Sequence, residues 1–164
     1  MSATGITETS QYLTFRLGSE VFATEVGKVR EVLDLTPITA VPRTPEFMAG
    51  VINLRGSVVP VVDLRLCLEM SKTESTRNTC IVVVEVMLDG EATVIGALAD
   101  SVEEVIDLEA DQIEPTPHIG SIQTDFIRGM GKRDAQFIMI LDIDRVFSSE
   151  QLAAIHAHQE AQAA

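Results

Sequence analysis

Alternating apolar and polar residues predict a chain built mainly of β-strands. The segment YLTFRL places Leu13, Phe15 and Leu17 on one side and more polar side chains on the other, which is typical of a half-buried strand. A turn at Gly18 leads into a returning strand, VFAT. Further along, the apolar run CIVVVEVML ends at Asp89-Gly90, a strong signal for a tight hairpin, and EATVIGALA is predicted as its partner strand.

Polar segments divide these strands. Residues 1–10 are small and polar, and we expect them to be disordered. Residues 71–78, SKTESTRN, are predicted to be a linker between two apolar segments. Asp63 precedes leucines at helical spacing and predicts a short helix. A capping-box pattern beginning at Ser148 predicts that residues 148–164 form a C-terminal helix with a frayed tail.

The chain also repeats itself. KVREVLDL at residues 28–35 matches SVEEVIDL at residues 101–108, and Gly50 and Asp63 are matched in the same order by Gly129 and Asp142. Two all-β units of about 70 residues, each too small to bury much surface alone, predict two barrels packed side by side on a shared core.

This repeat sets the predicted domain organisation. Residues 11–150 form one domain, with a first barrel at roughly residues 11–70 and a second at roughly residues 79–147. Exchange of strands between the two barrels stays open at this point.

The centre of the first unit is the extended run Val51–Leu64, VINLRGSVVPVVDL, which is broken at Gly56. It carries one basic side chain, Arg55, among branched apolar neighbours. A guanidinium in a strand there must either project into water or find a carboxylate, because an unpaired buried charge is costly. The second unit has no clear counterpart of Arg55, which favours a functional role for this residue.

Charge and composition exclude several classes of function. The formal net charge is −13 and the isoelectric point is about 4.5, which argues against binding to nucleic acids or to anionic membranes. Neither a signal peptide nor a run long enough to span a bilayer is evident, so we expect a cytoplasmic protein. Cys67 and Cys80 lack a metal-binding spacing and are expected to be free thiols, although a disulfide stays open.

No constellation for catalysis, metal binding or a cofactor stands out. The three histidines, His118, His156 and His158, follow no strand end and have no zinc-site spacing. The glycines of GMGKRD do not open a helix as a phosphate-binding loop does. An enzyme or a small-molecule-binding barrel, the alternative from a different class, would need converging polar groups that the sequence does not offer.

Four valines at matching positions of the repeat suggest a surface instead. Val29 and Val32 in KVREV correspond to Val102 and Val105 in SVEEV. They could line an apolar groove between the barrels for a partner helix or strand, or they could simply belong to the core.

Taken together, these motifs resemble the CheW family of chemotaxis coupling proteins. The most specific part is PxFxxGVxNLRGxxxPVVDLR, from Pro45 to Arg65. The resemblance implies two SH3-like five-stranded barrels and no enzymatic activity, metal or cofactor. It also implies a scaffold, monomeric in isolation, that joins the regulatory domain of a CheA-type histidine kinase to the cytoplasmic tips of methyl-accepting chemoreceptors in membrane-associated arrays.

The resemblance assigns roles to individual residues. Arg55 matches an arginine needed for coupling, and Glu31 matches the carboxylate expected to pair with it. The receptor groove is expected to include Arg55 and Glu31 together with Val29, Cys80 and Val105, to which the valine pattern adds Val102. The residues expected to contact the kinase are Phe47, Met48, Val51 and Ile119.

Three other functions stay open within the same fold. One is a CheW-like module of a non-flagellar chemosensory pathway, and another is a detached regulatory domain of a CheA-type kinase. The third is a CheV-like adaptor, which needs a phospho-acceptor receiver domain that we do not expect because the sequence ends at residue 164.

Overall fold

The structure is a computed structural model that describes residues 10–88, 90–115, 126–133 and 136–147. The predictions for residues 1–9, for Ile119, for the histidines His118, His156 and His158 and for the C-terminal helix at residues 148–164 lie outside the described residues. Ser10, the last residue predicted to be disordered, instead begins the first strand.

Strands make up most of the described chain, as predicted. They are β1 (Ser10–Leu17), β2 (Glu20–Glu25), β3 (Val29–Asp34), β4 (Met48–Leu54), β5 (Ser57–Asp63), β6 (Cys80–Leu88), β7 (Glu91–Ala99), β8 (Ser101–Leu108), β9 (Ile113–Glu114), β10 (Ile127–Arg133) and β11 (Gln136–Leu141). The short helix predicted after Asp63 is α1 (Leu64–Cys67), and a carboxylate oxygen of Asp63 accepts a hydrogen bond from the backbone N–H of Arg65 at its start. Single 3₁₀ turns cover Val26–Lys28 and Ala110–Gln112.

The strands form two sheets, which confirms the predicted fold class. Sheet 1 has the strand order β8-β1-β2-β11-β10-β9 and sheet 2 has the order β3-β6-β7-β5-β4. Sheet 2 has the five strands expected of an SH3-like barrel. Sheet 1 has a sixth, β9, which is only two residues long.

The sheets do not follow the predicted division of the chain at residues 71–78. Sheet 1 combines β1 and β2 with strands that come after β7, while sheet 2 takes β3 to β7 and thus spans the linker. The reason is that the third strand of each repeat crosses to the other sheet: β3 pairs with β6, and β8 pairs with β1. Each half of the chain therefore contributes strands to both sheets.

The repeat predicted from the sequence is visible in detail. Two parallel strand pairs, β2 with β11 and β7 with β5, occupy equivalent places in the two sheets. The N–H of Asp63 donates to the carbonyl of Phe47, and the N–H of Asp142 donates to the carbonyl of Phe126, both at 2.7 Å. A register shift precedes both matched glycines, Gly50 and Gly129.

In each sheet, a segment that follows one edge strand pairs with the strand at the opposite edge and so closes the barrel. This segment follows β3 in sheet 2 and β8 in sheet 1. In sheet 2, Thr39 and Val51 exchange two backbone hydrogen bonds of 2.9 Å, and in sheet 1 the short β9 pairs with β10 in the same way. Gly50 makes the first closure sterically feasible. A Cβ atom at this position would lie 2.2 Å from the carbonyl oxygen of Thr39, and the φ angle of Gly50 is +145°.

The two sheets share one apolar core and each encloses a smaller one. The shared core takes side chains from both sheets, among them Leu13, Phe15, Leu17, Phe22, Val62, Val82, Val84 and Ile95. The opposite face of β1 is also buried, since Tyr12 lies in the core enclosed by sheet 1. β1 is therefore buried on both faces and not half-buried as its alternation suggested, because one face meets the other sheet and the other lines a barrel.

Candidate partner-docking site

Arg55 lies in the tight turn between β4 and β5. Its φ angle is +52° and that of Gly56 is +86°, which suits a two-residue hairpin turn. The side-chain amide oxygen of Asn53 accepts a hydrogen bond of 2.8 Å from the N–H of Gly56 and fixes the turn further. The Arg55 side chain is 74% exposed. The expectation of a strand-borne arginine among apolar side chains is therefore wrong, because the turn lifts the side chain off the sheet.

The predicted partner of Arg55 is nevertheless in place. Its guanidinium contacts both carboxylate oxygens of Glu31, at 2.6 Å from Nη1 and 3.0 Å from Nη2. Glu31 lies on β3, so the pair joins β3 to the β4–β5 turn. The hydrogen bond from Arg55 lowers the pKa of Glu31, and the hydrogen bond to Glu31 raises the pKa of Arg55.

An open cavity of about 520 Å³ adjoins this ion pair at the end of sheet 2. Leu54, Val59, Val83 and Val94 supply apolar wall, and Arg30 and Glu91 add charge. We call this region, together with Arg55 and Glu31, the barrel mouth.

The four matched valines lie on the sides of the two sheets that meet the shared core, two on β3 of sheet 2 and two on β8 of sheet 1. Residues directly opposite in antiparallel strands share a face, and Val29, Val102 and Val105 lie opposite Val84, Phe15 and Leu13 respectively. Those three partners belong to the shared core. Val32 lies opposite Val82, another member of that core. We call Val29, Val32, Val102 and Val105 the valine face.

The valine face is part core and part surface. Val29 and Val102 are half-buried against the shared core, whereas Val32 is 41% and Val105 is 51% exposed. The two exposed valines occupy equivalent positions of the repeat. The core interpretation therefore holds for Val29 and Val102, while the docking groove stays a prediction that the exposure of Val32 and Val105 permits. Val32 belongs to this surface although the residues carried over from the family do not include it.

The remaining groove residue, Cys80, is half-buried at the start of β6 and alternates in phase with Val82. Its thiol donates a hydrogen bond of 3.2 Å to the carbonyl of Asn78. The structure thus places Cys80 on the side of the valine face. Glu31 lies opposite Val83, whose side chain packs inside sheet 2, so Glu31 and Arg55 belong to another face. The prediction that these two residues share one groove with the valines is corrected accordingly.

Two residues predicted to contact the kinase are inaccessible. Phe47 is 7% and Met48 is 6% exposed, and both side chains pack in the shared core. The family motif marks their positions, but packing of the sheets against each other hides their side chains, so the structure corrects this assignment. Val51 is half-buried and its backbone is paired with Thr39.

A second pair of exposed apolar residues escaped the sequence analysis. Val58 on β5 and Phe137 on β11 are both about half exposed and occupy equivalent positions in the two copies of the repeat. Aligning the two copies of the repeat along the whole of β5 and β11, and not only at Gly50, Gly129, Asp63 and Asp142, would have matched these two residues.

The described residues hold no group of three histidine, cysteine, aspartate or glutamate side chains placed to bind a metal ion. Cys67 and Cys80 are free thiols, as expected. Burial raises the pKa of Cys67 to about 12. None of the helices in the described part of the chain has the length and apolar character needed to cross a membrane.

Comparison with known proteins decides the family. Residues 11–151 match the CheW-like domain. The chain belongs to the CheW-like family. This confirms the family expected from the motif between Pro45 and Arg65. The family supports the predicted role as well, a non-enzymatic adaptor in chemotaxis.

Several CheW-like relatives cover nearly the whole chain. The chemotaxis protein CheW of Klebsiella aerogenes is 32% identical over 152 residues, which cover 92% of this chain and 89% of that protein. CheW of Rhizobium meliloti is 35% identical over 145 residues, with 88% and 91% covered. The scaffolding protein TtCheW of Thermoanaerobacter tengcongensis has a similar crystal structure, with a TM-score of 0.76, 33% sequence identity, and 87% and 94% coverage.

Proposed function

We propose that this protein is a non-enzymatic scaffold that couples the cytoplasmic tips of chemoreceptors to a CheA-type histidine kinase. Family membership supports the adaptor role. The observation that carries the proposal is the valine face, where two exposed β-branched residues from equivalent strands flank a shared core. Apolar surface of this kind suits an amphipathic helix, the form in which a receptor tip would present itself.

In this proposal the receptor docks on the valine face, with Val32, Val105 and Cys80 in contact. The ion pair of Arg55 and Glu31 lies apart from this face, at the barrel mouth. The barrel mouth is then available to a second partner. Its cavity of about 520 Å³ has apolar walls and a charged rim, which suits a protein contact more than a small ligand.

The kinase contact is proposed for the barrel mouth and not for Phe47 or Met48, whose side chains are buried. The protein is expected to be monomeric by itself, to lie in the cytoplasm and to join receptor arrays at the membrane through its partners.

The test is co-sedimentation with receptor-containing membranes, with and without the kinase. Wild-type protein should pellet with the receptors, and Val105→Glu should reduce pelleting strongly, because a charge would be buried against an apolar helix. Phe137→Glu is the matched control, since it changes an equally exposed apolar residue of the same sheet on β11, three strands away from β8 in the sheet order. Receptor-independent pelleting, or equal loss in both variants, would contradict the docking site.

Arg55→Ala separates the two faces. It removes the ion pair at the barrel mouth and leaves the valine face unchanged. We expect binding to a receptor fragment alone to be retained and assembly of the ternary complex to be impaired. Intact ternary assembly by this variant would remove Arg55 from the proposal.

A further inference from the structure

The chain crosses from one sheet to the other at two equivalent places. The first crossing is the 3₁₀ turn Val26–Lys28, between β2 of sheet 1 and β3 of sheet 2. The second is the single residue Asp100, between β7 of sheet 2 and β8 of sheet 1. The two crossings lead directly into β3 and β8, the strands that carry the valine face. The relative orientation of the two sheets at the crossings therefore sets the relative positions of these valines.

Asp100 ties the two sheets together at the second crossing. Its Oδ2 atom accepts hydrogen bonds from the N–H of Gly18, in the β1–β2 turn of sheet 1, at 2.5 Å and from Nη1 of Arg65 at 2.8 Å. Arg65 belongs to α1, which follows sheet 2 directly. The other nitrogens of Arg65 donate to the carbonyl and the hydroxyl of Ser71, at 2.9 and 3.0 Å. The guanidinium is thus held on all sides.

Asp144 does the same at the first crossing. Its Oδ2 atom lies 2.8 Å from Nζ of Lys28, and its Oδ1 atom accepts a hydrogen bond of 2.8 Å from the N–H of Met87 on β6. Asp144 follows β11 of sheet 1, whereas Met87 belongs to sheet 2. The carboxylate again bridges the two sheets.

The two arrangements are equivalent in position but reversed in charge. Arg65 and Asp144 occupy the same place in the two copies of the repeat, shortly after β5 and β11. Lys28 is matched by Ser101, the neighbour of Asp100, at the start of the repeated octapeptide. We call the pairs Arg65–Asp100 and Lys28–Asp144 the two clasps. Each crossing thus has a clasp, built from different residues in the two copies of the repeat.

The clasps add directional contacts to the shared core. Burial of apolar surface holds two sheets in contact but is itself non-directional. Hydrogen bonds to a carboxylate have a restricted distance and angle. All four clasp side chains are partly shielded from water, with exposures between 18% and 32%. Two directional contacts at opposite crossings restrain the angle between the sheets.

We propose that the two clasps set the angle between sheet 1 and sheet 2 and thereby hold the valine face in the shape that its partner recognises. Arg65 and Lys28 are positioning residues that need not touch the partner. The second part of this statement rests on the proposed receptor docking, whereas the first part does not.

Amide residual dipolar couplings test the first part, because they report the relative orientation of the two sheets. In the wild type, couplings from both sheets should fit one alignment tensor. In Arg65→Met and Lys28→Met, and most clearly in the double variant, each sheet should fit its own tensor, while couplings within a sheet stay unchanged. Arg65→Lys should restore the single tensor in large part.

Arg16→Met is the matched control. It also removes an arginine from an ion pair, with Glu103, but both residues lie within sheet 1. Its couplings should keep a single tensor. A single tensor in the double clasp variant, with all couplings as in the wild type, would overturn the proposal. If the double variant does not fold, a single tensor in both Arg65→Met and Lys28→Met would overturn it in the same way.

Binding to a receptor-tip fragment tests the second part. The double clasp variant should bind about fivefold or more weakly, a change in keeping with the loss of two partly exposed ion pairs, and Arg16→Met should bind as the wild type does. Unchanged binding by a variant with separated tensors would overturn the link to the valine face. Failure of the wild type to bind the fragment would instead contradict the proposed function, and the tensor result would still decide the role of the clasps.

Discussion

The contact between Arg55 and Glu31 shows how an exposed ion pair can matter without adding much stability. Both oxygens of the carboxylate are engaged, yet most of the arginine side chain faces solvent. Exposed pairs contribute little to folding because water solvates the separated charges well. What this pair fixes is geometry: a bidentate contact holds the β4–β5 turn against β3 at the barrel mouth.

The pair predicts a specific change in a titration. Arg55→Ala should raise the pKa of Glu31 toward the ordinary glutamate value, because the hydrogen bond from Arg55 is the main cause of its lowering. In the wild type the contribution of the pair is present above the ordinary glutamate pKa and is lost as the pH falls through the lower, folded-state value. Carboxyl-carbon NMR measures both values. Arg16→Ala, which breaks the pair with Glu103, should leave Glu31 unchanged.

The two thiols should differ sharply in reactivity. Burial raises the pKa of Cys67 to about 12, so this thiol stays protonated at pH 8 and is shielded from reagents. Cys80 is half-buried at the start of β6. We expect iodoacetamide to label one thiol in the native protein and the second only after unfolding. Cys80→Ala should abolish the native labelling, whereas faster labelling of Cys67 would contradict the packing around α1.

The stability of the protein should fall at high pH for the same reason. Above about pH 8.5, the ordinary pKa of cysteine, the unfolded chain loses the Cys67 proton while the folded chain retains it. Unfolding is therefore favoured as the pH rises from this value toward about 12. A Cys67→Ala variant should show a smaller fall.

Among the elements, β4 depends most on a single residue. The closing segment at Thr39 passes so near Gly50 that no side chain fits between them. The close approach lets the backbone of Val51 find partners on a chain that is otherwise irregular. The segment around Thr39 can therefore pair with Val51 only if residue 50 has no Cβ atom.

Gly50→Ala should therefore lower the free energy of unfolding by about 2 kcal/mol or more, since it combines a clash with backbone and an unfavourable φ angle. Chemical denaturation measures the loss. Gly27→Ala is the matched control, because a Cβ atom there would meet nothing within 4 Å, and it should change stability little. Equal effects in both variants would contradict the closure.

The elements themselves follow from the sequence, but their partners do not. Alternation and turn signals depend on neighbouring residues, so β1, the β6–β7 hairpin and the cap of α1 at Asp63 could be predicted. Membership of β3 and β8 in opposite sheets depends on contacts between distant residues, which a local pattern does not encode. Family motifs fix position and not exposure, which is why Phe47 and Met48 were assigned to a surface although they lie in the core.

For the whole molecule, strand exchange makes the two halves inseparable. Each half places strands in both sheets, and the shared core takes side chains from both. The linker at residues 71–78 contains no strand or helix and is mostly exposed. Cutting it should therefore leave the assembly intact.

A protease site inserted between Glu74 and Ser75 tests this directly. After cleavage the two fragments should elute together in size-exclusion chromatography under native conditions and separate only in denaturant. The uncut variant, carrying the same insertion, controls for effects of the added residues. Fragments that separate under native conditions would show that the exchange of β3 and β8 contributes little.

The exchange of strands between the sheets also explains a use for the unequal distribution of charge between the two halves of the chain. Residues 1–78 contain eight lysines and arginines and nine acidic residues, while residues 79–164 contain four and sixteen. Among the described residues, four ion pairs between the halves take their cation from the first half and their anion from the second, and one, Glu25–Arg128, runs the other way. These four are Arg16–Glu103, Lys28–Asp144, Arg30–Glu85 and Arg65–Asp100.

Two identical halves could intertwine in this manner as a homodimer, so a fold of this kind is open to mispairing between like halves. The cross-strand register equates Arg16 with Glu85 and Arg30 with Glu103. Two first halves would set Arg16 against Arg30, and two second halves would set Glu85 against Glu103. Like charges at these positions disfavour both wrong assemblies. In both equivalent pairs the cation comes from the first half and the anion from the second, so each half pairs favourably only with the other.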